Sequence, residues 1–376
     1  MKRLAVILAL AAAVAVASAQ AGRAAVDVGC AKPTIGMMAP LSGPASSIGG
    51  DQLRWAEFFV SRWNAAHRRK FRIASLDTQL DPAQASAAAQ QLVQNASLLG
   101  MVIGGRSQEI VAAAPVLKRA GLAFVSGSAT RDSLTDGTLR GYFFRVVPKD
   151  SVQAPTDADF IVRRLGGRPG ATVEVIDDGE AYSVGLADVV QRLLKARGVK
   201  VRREAVSQAQ TDFSALVAKI PANVRVVYAP WQLPQQAQLL GNALRAKRKS
   251  LTLFGGDGVF DPARFVVNGA YVSFFAPDIS TLKPQPGLVT YFRRRWGDTG
   301  PFGPPNWVAA QVLVKAIDRA CKDRRASRSE VRKLVAETRF RRTILGMPLA
   351  FTRNGDVVGA RFAVYRIVNG RYVTVR

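Results

Sequence analysis

Short runs of β-branched residues alternate with longer stretches rich in Ala, Leu and Gln along nearly the whole chain, and that rhythm admits few folds. Strands separated by helices pair in parallel, because each helix carries the chain back across a sheet face. A first series predicts strands at residues 34–38, 71–77, 101–103 and 122–126, with helices at 52–65, 82–95 and 109–119. Asp81 followed by Pro82 sharpens the start of the second of these helices, a cap residue before a proline at the first helical position. A second series of the same kind follows. It predicts helices at 151–165, 184–197, 213–220 and 234–245, and strands at 172–176, 200–203, 224–228, 252–254 and 270–275. Two consecutive sets of strand and helix units suggest two sheets, hence two lobes.

After Phe275 the pattern turns mainly helical, at 287–296, 307–320 and 327–337, before strands at 349–351, 361–366 and 372–375 around the turns Asn354-Gly355 and Asn369-Gly370. Helices so late in the chain need a sheet to cover. The expected fold is therefore α/β, with two doubly wound parallel-sheet lobes joined by several crossovers. The chain would recross near 147–154, 277–280 and 345–348, giving one lobe from residues 31–150 plus 279–345 and another from 151–278 plus 346–376. Several crossings make a hinge, and a hinge suits closure around a ligand.

With 376 residues the chain exceeds what one core usually organises, and 48% hydrophobic content marks it as globular. Lys2 and Arg3 precede an apolar run over residues 4–16 that closes in Ala17-Ser18-Ala19, the layout of a secretory signal peptide over residues 1–19. The run falls short of a membrane span. Export to the periplasm is the corresponding expectation. The formal net charge of +26 invites a nucleic-acid reading. However, the basic runs Arg68-Arg69-Lys70, Arg163-Arg164, Lys247-Arg248-Lys249, Arg293-Arg294-Arg295 and Arg324-Arg325 are scattered over helix ends and outer faces, with no interleaved aromatics. They read as a solvated surface, or as one that adheres to an anionic envelope, and no nucleic acid is expected as a partner. Cys30 and Cys321 are an even pair in an oxidising compartment, which permits one disulfide; their separation alone does not bring them together.

Chemistry leaves few traces. The lone histidine, His67, stands among cations, which disfavours a Ser-His-Asp or Cys-His site, and no His/Cys spacing matches a zinc centre. Gly255-Gly256-Asp257-Gly258 is neither a dinucleotide fingerprint nor a calcium loop. No cofactor, metal or catalytic residue is expected, and an enzyme is the weaker alternative. What stands out is a set of small and hydroxyl residues at strand C-termini: Gly104-Gly105-Arg106-Ser107 after one strand and Ser126-Gly127-Ser128-Ala129-Thr130 after the next. Ligands of open parallel sheets bind there, where helix N-termini offer free N–H groups, and a carboxylate would fit. The matching strand ends of the second series carry Tyr182, Trp231 and Asp257, two rings and an anion suited to an ammonium. Ser107 and Thr130 are equally at home as helix caps, Trp231 and Tyr182 as core, and Asp257 as a turn residue.

At these residues the chain resembles the type I periplasmic binding proteins of ABC importers, in particular the leucine/isoleucine/valine-binding group. Carrying the resemblance are the first strand and turn (residues 35–44), Asp81-Pro82-Ala83-Gln84-Ala85, the loop at 126–134, the stretch around Tyr182, Thr211-Asp212-Phe213-Ser214-Ala215-Leu216 and Phe254-Gly255-Gly256-Asp257-Gly258. The resemblance implies a monomeric, non-enzymatic protein that hands a small amino acid or related solute to a membrane permease; a sensor reporting to a membrane receptor shares the same features. It also implies that Ser107, Ala129 and Thr130 bind the carboxylate, Asp257 with Thr130 and Tyr182 the ammonium, and Ile48, Trp231 and Phe302 surround the side chain, with Ser128 also among the ligand-binding residues. The departures are an aspartate at 257 where the family carries glutamate, Trp231 in place of a tyrosine, Ile48 at an aromatic position, and Arg106 as an added cation on the carboxylate side.

Overall fold

The computed structural model describes residues 28–247, 251–282 and 286–375. The signal peptide expected over residues 1–19 lies outside them, as do Arg248 and Lys249 of one basic run. After the two-residue β1 (Val28–Gly29), the first sheet is assembled from β2 (Thr34–Ala39), β3 (Arg72–Asp77), β4 (Leu98–Ile103), β5 (Ala123–Ser126) and β6 (Phe143–Arg145). Its order is β3-β2-β4-β5-β6, every pair parallel. Helices α1 (Ser46–Ala66), α2 (Pro82–Val93) and α3 (Ser107–Arg119) join the strands. β2, β4 and β5 are buried along their whole length, as strands of a parallel sheet covered on both faces must be, whereas the edge strand β3 is part-exposed.

The second lobe follows the same plan with α4 (Asp150–Arg164), β7 (Thr172–Asp177), α5 (Ala181–Ala196), β8 (Lys200–Ala205), α6 (Ser214–Lys219), β9 (Val224–Ala229), α7 (Pro234–Lys247), β10 (Thr252–Gly255) and β11 (Tyr271–Phe274). The chain then returns to the first lobe through α8 (Pro286–Trp296), α9 (Gly303–Ala320), β12 (Arg325–Ala326), α10 (Arg328–Ala336), β13 (Arg339–Phe340) and β14 (Leu349–Ala350). There α9 packs on α1, β4 and β5, and Phe292 of α8 stacks on Trp55 of α1 with ring centroids 4.2 Å apart. Finally β15 (Ala363–Val368) and β16 (Arg371–Thr374) add antiparallel to the second sheet, whose order is β16-β15-β11-β10-β9-β7-β8. Between them Asn369 and Gly370 both take positive φ, 50° and 75°, the geometry of a two-residue hairpin turn.

The structure departs from the sequence reading in several places. α1 begins at Ser46 and not at 52, because Gly49 lets the helix start against the preceding turn: a Cβ there would lie 2.0 Å from the Pro40 carbonyl oxygen. The three-residue β6 was too short to be read as a strand. The third crossing comes after the turn at Asn354-Gly355, later than residues 345–348. Arg145 of β6 is fully buried, and its N–H donates to the Gly355 carbonyl while its guanidinium pairs with Asp356 at 2.7 Å. A buried arginine needs such a partner, so this stretch stays on the edge of the first sheet, and only β15 and β16 of the range 346–376 join the second.

Cys30 and Cys321 are joined by a disulfide, Cα atoms 5.7 Å apart, that ties the segment after β1 to the C-terminus of α9. β1 pairs antiparallel with β12 beside it.

Candidate ligand cleft

In the first lobe the loops after β4 and β5 form one side of a cleft. The Ser128 hydroxyl donates to the carbonyls of Gly104 at 3.0 Å and Gly105 at 2.8 Å, locking the two loops together. Ser126 Oγ accepts the N–H groups of Ser128 and Ala129, at 3.2 and 3.0 Å. The Ala129 amide expected to meet a carboxylate is thus engaged within its own turn, because the hydroxyl of Ser126 lies directly beneath it. Ser107 opens α3 and accepts the Arg131 N–H at 3.3 Å, which leaves its own proton free to donate. The first-turn amides of Ser107 and Gln108 have no helical acceptor and sit at the positive end of a 13-residue helix. The buried Thr130 hydroxyl has no hydrogen-bond partner among the described residues; it neighbours the Asp150 carboxyl without meeting hydrogen-bond geometry.

The facing wall comes from the C-terminal ends of β7, β9 and β10. Tyr182 donates its phenolic proton to Asp257 Oδ1 at 2.7 Å. Asp257 is pinned by the backbone around it: a Cβ on Gly258 would lie 2.3 Å from the Trp231 carbonyl oxygen, an approach only glycine permits. Burial pushes the Asp257 carboxyl up to about 6, opposed by the Tyr182 hydrogen bond and the charge of Arg106. Behind it runs a buried polar chain in which Tyr228 and Ser273 both donate to Asp157 Oδ2, at 2.7 and 3.1 Å, and Gln153 Nε2 donates to Ser273 at 2.9 Å. Burial also raises Asp157 and Asp150, the latter to about 8.

The indole of Trp231 is turned into the second lobe. It is fully buried, donates to the Ile176 carbonyl at 2.8 Å and lies against Phe213 with centroids 5.1 Å apart. The N–H of its neighbour Gln232 donates to Asp178 at 2.9 Å, while both polar atoms of its buried amide side chain lack partners among the described residues. Ile48, Trp231 and Phe302 belong to one continuous apolar cluster, and Phe302 packs edge-on against Phe274 and Phe275.

Across the cleft reaches Arg106. Its guanidinium carbon lies 4.7 Å from the centroid of the Phe302 ring, and its Nη2 donates to the carbonyls of Gly258 at 3.3 Å and Gln232 at 3.4 Å in the opposite lobe. It is 4% exposed, and its Nε has no partner among the described residues. Sequence reasoning noticed Arg106 only as a cation beside Ser107 and passed over Gln232, Gln153 and Asp150. The available signal was an arginine directly after Gly104-Gly105 at a strand end, where a long side chain has open space to cross. Among the described residues no group of three or more His, Cys, Asp or Glu side chains could hold a metal ion.

The arrangement can close on a small polar solute. The family model for periplasmic binding proteins matches residues 32–371. A Leu/Ile/Val-binding protein homologue of Brucella melitensis is 27% identical over 351 residues, covering 90% of this chain and 92% of its own. A leucine-, isoleucine-, valine-, threonine- and alanine-binding protein of Pseudomonas aeruginosa is 27% identical over 93% of each chain. The fold is shared with a leucine-binding protein of Thermotoga maritima (TM-score 0.82, 20% identity, covering 92% of this chain and 98% of that one). It is shared also with a branched-chain amino acid transporter substrate-binding protein of Streptococcus pneumoniae in complex with isoleucine (TM-score 0.79, 20% identity, 92% and 99%). With two parallel-sheet lobes, a cleft between them and a match across nearly its whole length, this chain belongs to the periplasmic binding protein family.

Proposed function

We propose that the protein captures a small amino acid or amide-like solute between its lobes outside the cytoplasm, performs no chemistry on it, and delivers it as a monomer to the permease of an ABC importer. The observation that carries this reading is the convergence of polar groups left without partners in a buried cleft. They are the Thr130 hydroxyl, the Gln232 amide, the Asp150 carboxyl and the Arg106 Nε, drawn from both lobes. An unsatisfied buried polar group costs about 1–3 kcal/mol, a cost that a bound solute pairing with these groups would offset. The acid end of the solute would meet the Ser107 and Thr130 hydroxyls and the first-turn amides of α3, and its other polar end would face Tyr182 and Asp257. Ile48 and Phe302 would bound its side chain, with Trp231 supporting that wall from inside the second lobe, and Ser128 would hold the two loops in register. The relatives that bind leucine, isoleucine and valine support the amino-acid class, and the apolar run ending in Ala17-Ser18-Ala19 supports export.

Thermal-shift and calorimetric screening of amino acids, their amides and small carboxylic acids tests this. A solute at 100 times its Kd stabilises the folded chain by about 2.7 kcal/mol, a readily measured rise in Tm. If no member of the panel shifts Tm at millimolar concentration, the reading fails.

A further inference from the structure

In an amino-acid site the ammonium needs an anion that nothing else has neutralised. Here Asp257 already accepts a hydrogen bond from Tyr182, and the cation acting on its charge is Arg106, which reaches into the same corner and donates to the carbonyls of Gly258 and Gln232. Among the groups acting through space on Arg106, Asp257 comes first. A ligand ammonium placed there would bring a second cation to one carboxylate that is itself buried. Meanwhile the guanidinium is short of acceptors: its Nε has none among the described residues, and its bonds to the two carbonyls are long, at 3.3 and 3.4 Å. A buried guanidinium with free donors presents the planar fork that a carboxylate fills.

We propose that Arg106 is the specificity-determining residue of the cleft, and that it selects small organic acids bearing a carboxylate but no α-ammonium. The carboxylate lies between the guanidinium and the first-turn amides of α3. Both come from the same short segment, since Arg106 is the residue immediately before that helix. The tethered cation then takes the place beside Asp257 that a free amine would otherwise occupy, and the remainder of the acid extends over the Phe302 ring toward Ile48. This inference rests on the solute-capturing reading above and shifts the solute from an amino acid to the corresponding acid without the amine.

Matched pairs sharing one carbon skeleton separate the two. Leucine against isocaproate, phenylalanine against hydrocinnamate, and alanine against propionate are titrated into the wild-type protein and into Arg106→Met and Arg106→Lys. Wild type is expected to bind the acid of at least one pair at least tenfold tighter than its amino acid. Arg106→Met, which keeps the apolar stem, is expected to weaken that acid roughly 10- to 100-fold, the weight of one to two charge-assisted hydrogen bonds, while leaving the amino acid unchanged or improved. Arg106→Lys keeps the charge without the fork and falls between; should the methionine variant fail to fold, it and the wild-type pairs decide the matter. If wild type binds the amino acids as tightly as the acids, the role given to Arg106 is overturned and solute capture stands. If neither member of any pair binds, solute capture of this class is overturned and the proposal falls with it.

Discussion

Asp150 opens α4, is fully enclosed, and has its carboxyl pushed up to about 8 by burial, against an unfolded value near 3.9. Between about pH 4 and pH 8 the folded chain therefore binds a proton at this position that the unfolded chain has released. Stability must fall as pH rises through that window, because unfolding lets the carboxyl ionise in water. Glu109, pushed to about 7, and Asp257, to about 6, act in the same direction over narrower ranges. Each such group contributes a slope of about 1.4 kcal/mol per pH unit while only the folded state is protonated. We expect Asp150→Asn, which mimics the protonated carboxyl, to flatten the fall in unfolding free energy between pH 5 and 7 by about that amount per unit. Denaturant titrations of both proteins across that range check it, and parallel slopes would show that Asp150 is ionised in the folded state. None of this was legible in the sequence: Asp150 is an ordinary acidic residue at a helix start until its enclosure by Thr130 and the Asp257 corner is seen. Asp257 and Tyr182 were legible, because each follows a strand of the second series at the same end of the sheet.

The regular elements were read from period and composition, and the misses have local causes. Helix starts were placed late in α1, at Gly49-Gly50, and in α9, where Pro304 and Pro305 follow Gly303. Glycine there serves close packing, since a Cβ on Gly303 would overlap the Trp55 ring, and period alone cannot distinguish that need from a helix break. The side chains that cross the cleft were lost for a different reason: Arg106 and Gln232 declare themselves only through partners in the other lobe. The same helix α9 shows how far a local change should travel. Phe302 caps its N-terminus at the cleft and Cys321 caps its C-terminus at the disulfide. Eighteen residues put the two ends about 27 Å apart. Opening the disulfide with Cys30→Ser and Cys321→Ser releases a constraint across 291 residues of sequence. A loss of about 2–5 kcal/mol of stability is expected, with solute affinity unchanged within twofold. Chemical unfolding and calorimetry on the double variant test both halves, and a large loss of affinity would show that the bridge positions the cleft.

At the scale of the whole molecule, the two sheets are connected by the β6–α4 segment, the β11–α8 segment and the stretch from β14 to β15, so the lobes can rotate while their interiors stay intact. A ligand favours closure only by contacts available in the closed form. The first lobe offers hydroxyls and helix amides, the second offers Asp257 and Tyr182, and a solute touching one wall alone would leave the equilibrium where it was. Arg106 alters that balance before any solute arrives, because its guanidinium already donates to two carbonyls of the opposite lobe and draws the walls together. Solute-free wild type should therefore populate the closed form more than Arg106→Met does. Small-angle scattering reads this directly: a compact chain of this length has a radius of gyration of about 20 Å, and separated lobes give a larger one. The expected ranking places solute-free Arg106→Met as the most extended, solute-free wild type between, and solute-saturated wild type as the most compact. Scattering should be recorded at about 0.15 M salt, where surface charges more than about 8 Å apart are screened and the repulsion of a chain carrying +26 does not itself hold the lobes open. Equal radii for the two solute-free proteins, with wild type contracting on saturation, would remove Arg106 as a latch and leave the solute as the sole agent of closure. An unchanged radius at a saturation verified by calorimetry would mean that the lobes do not move to bind.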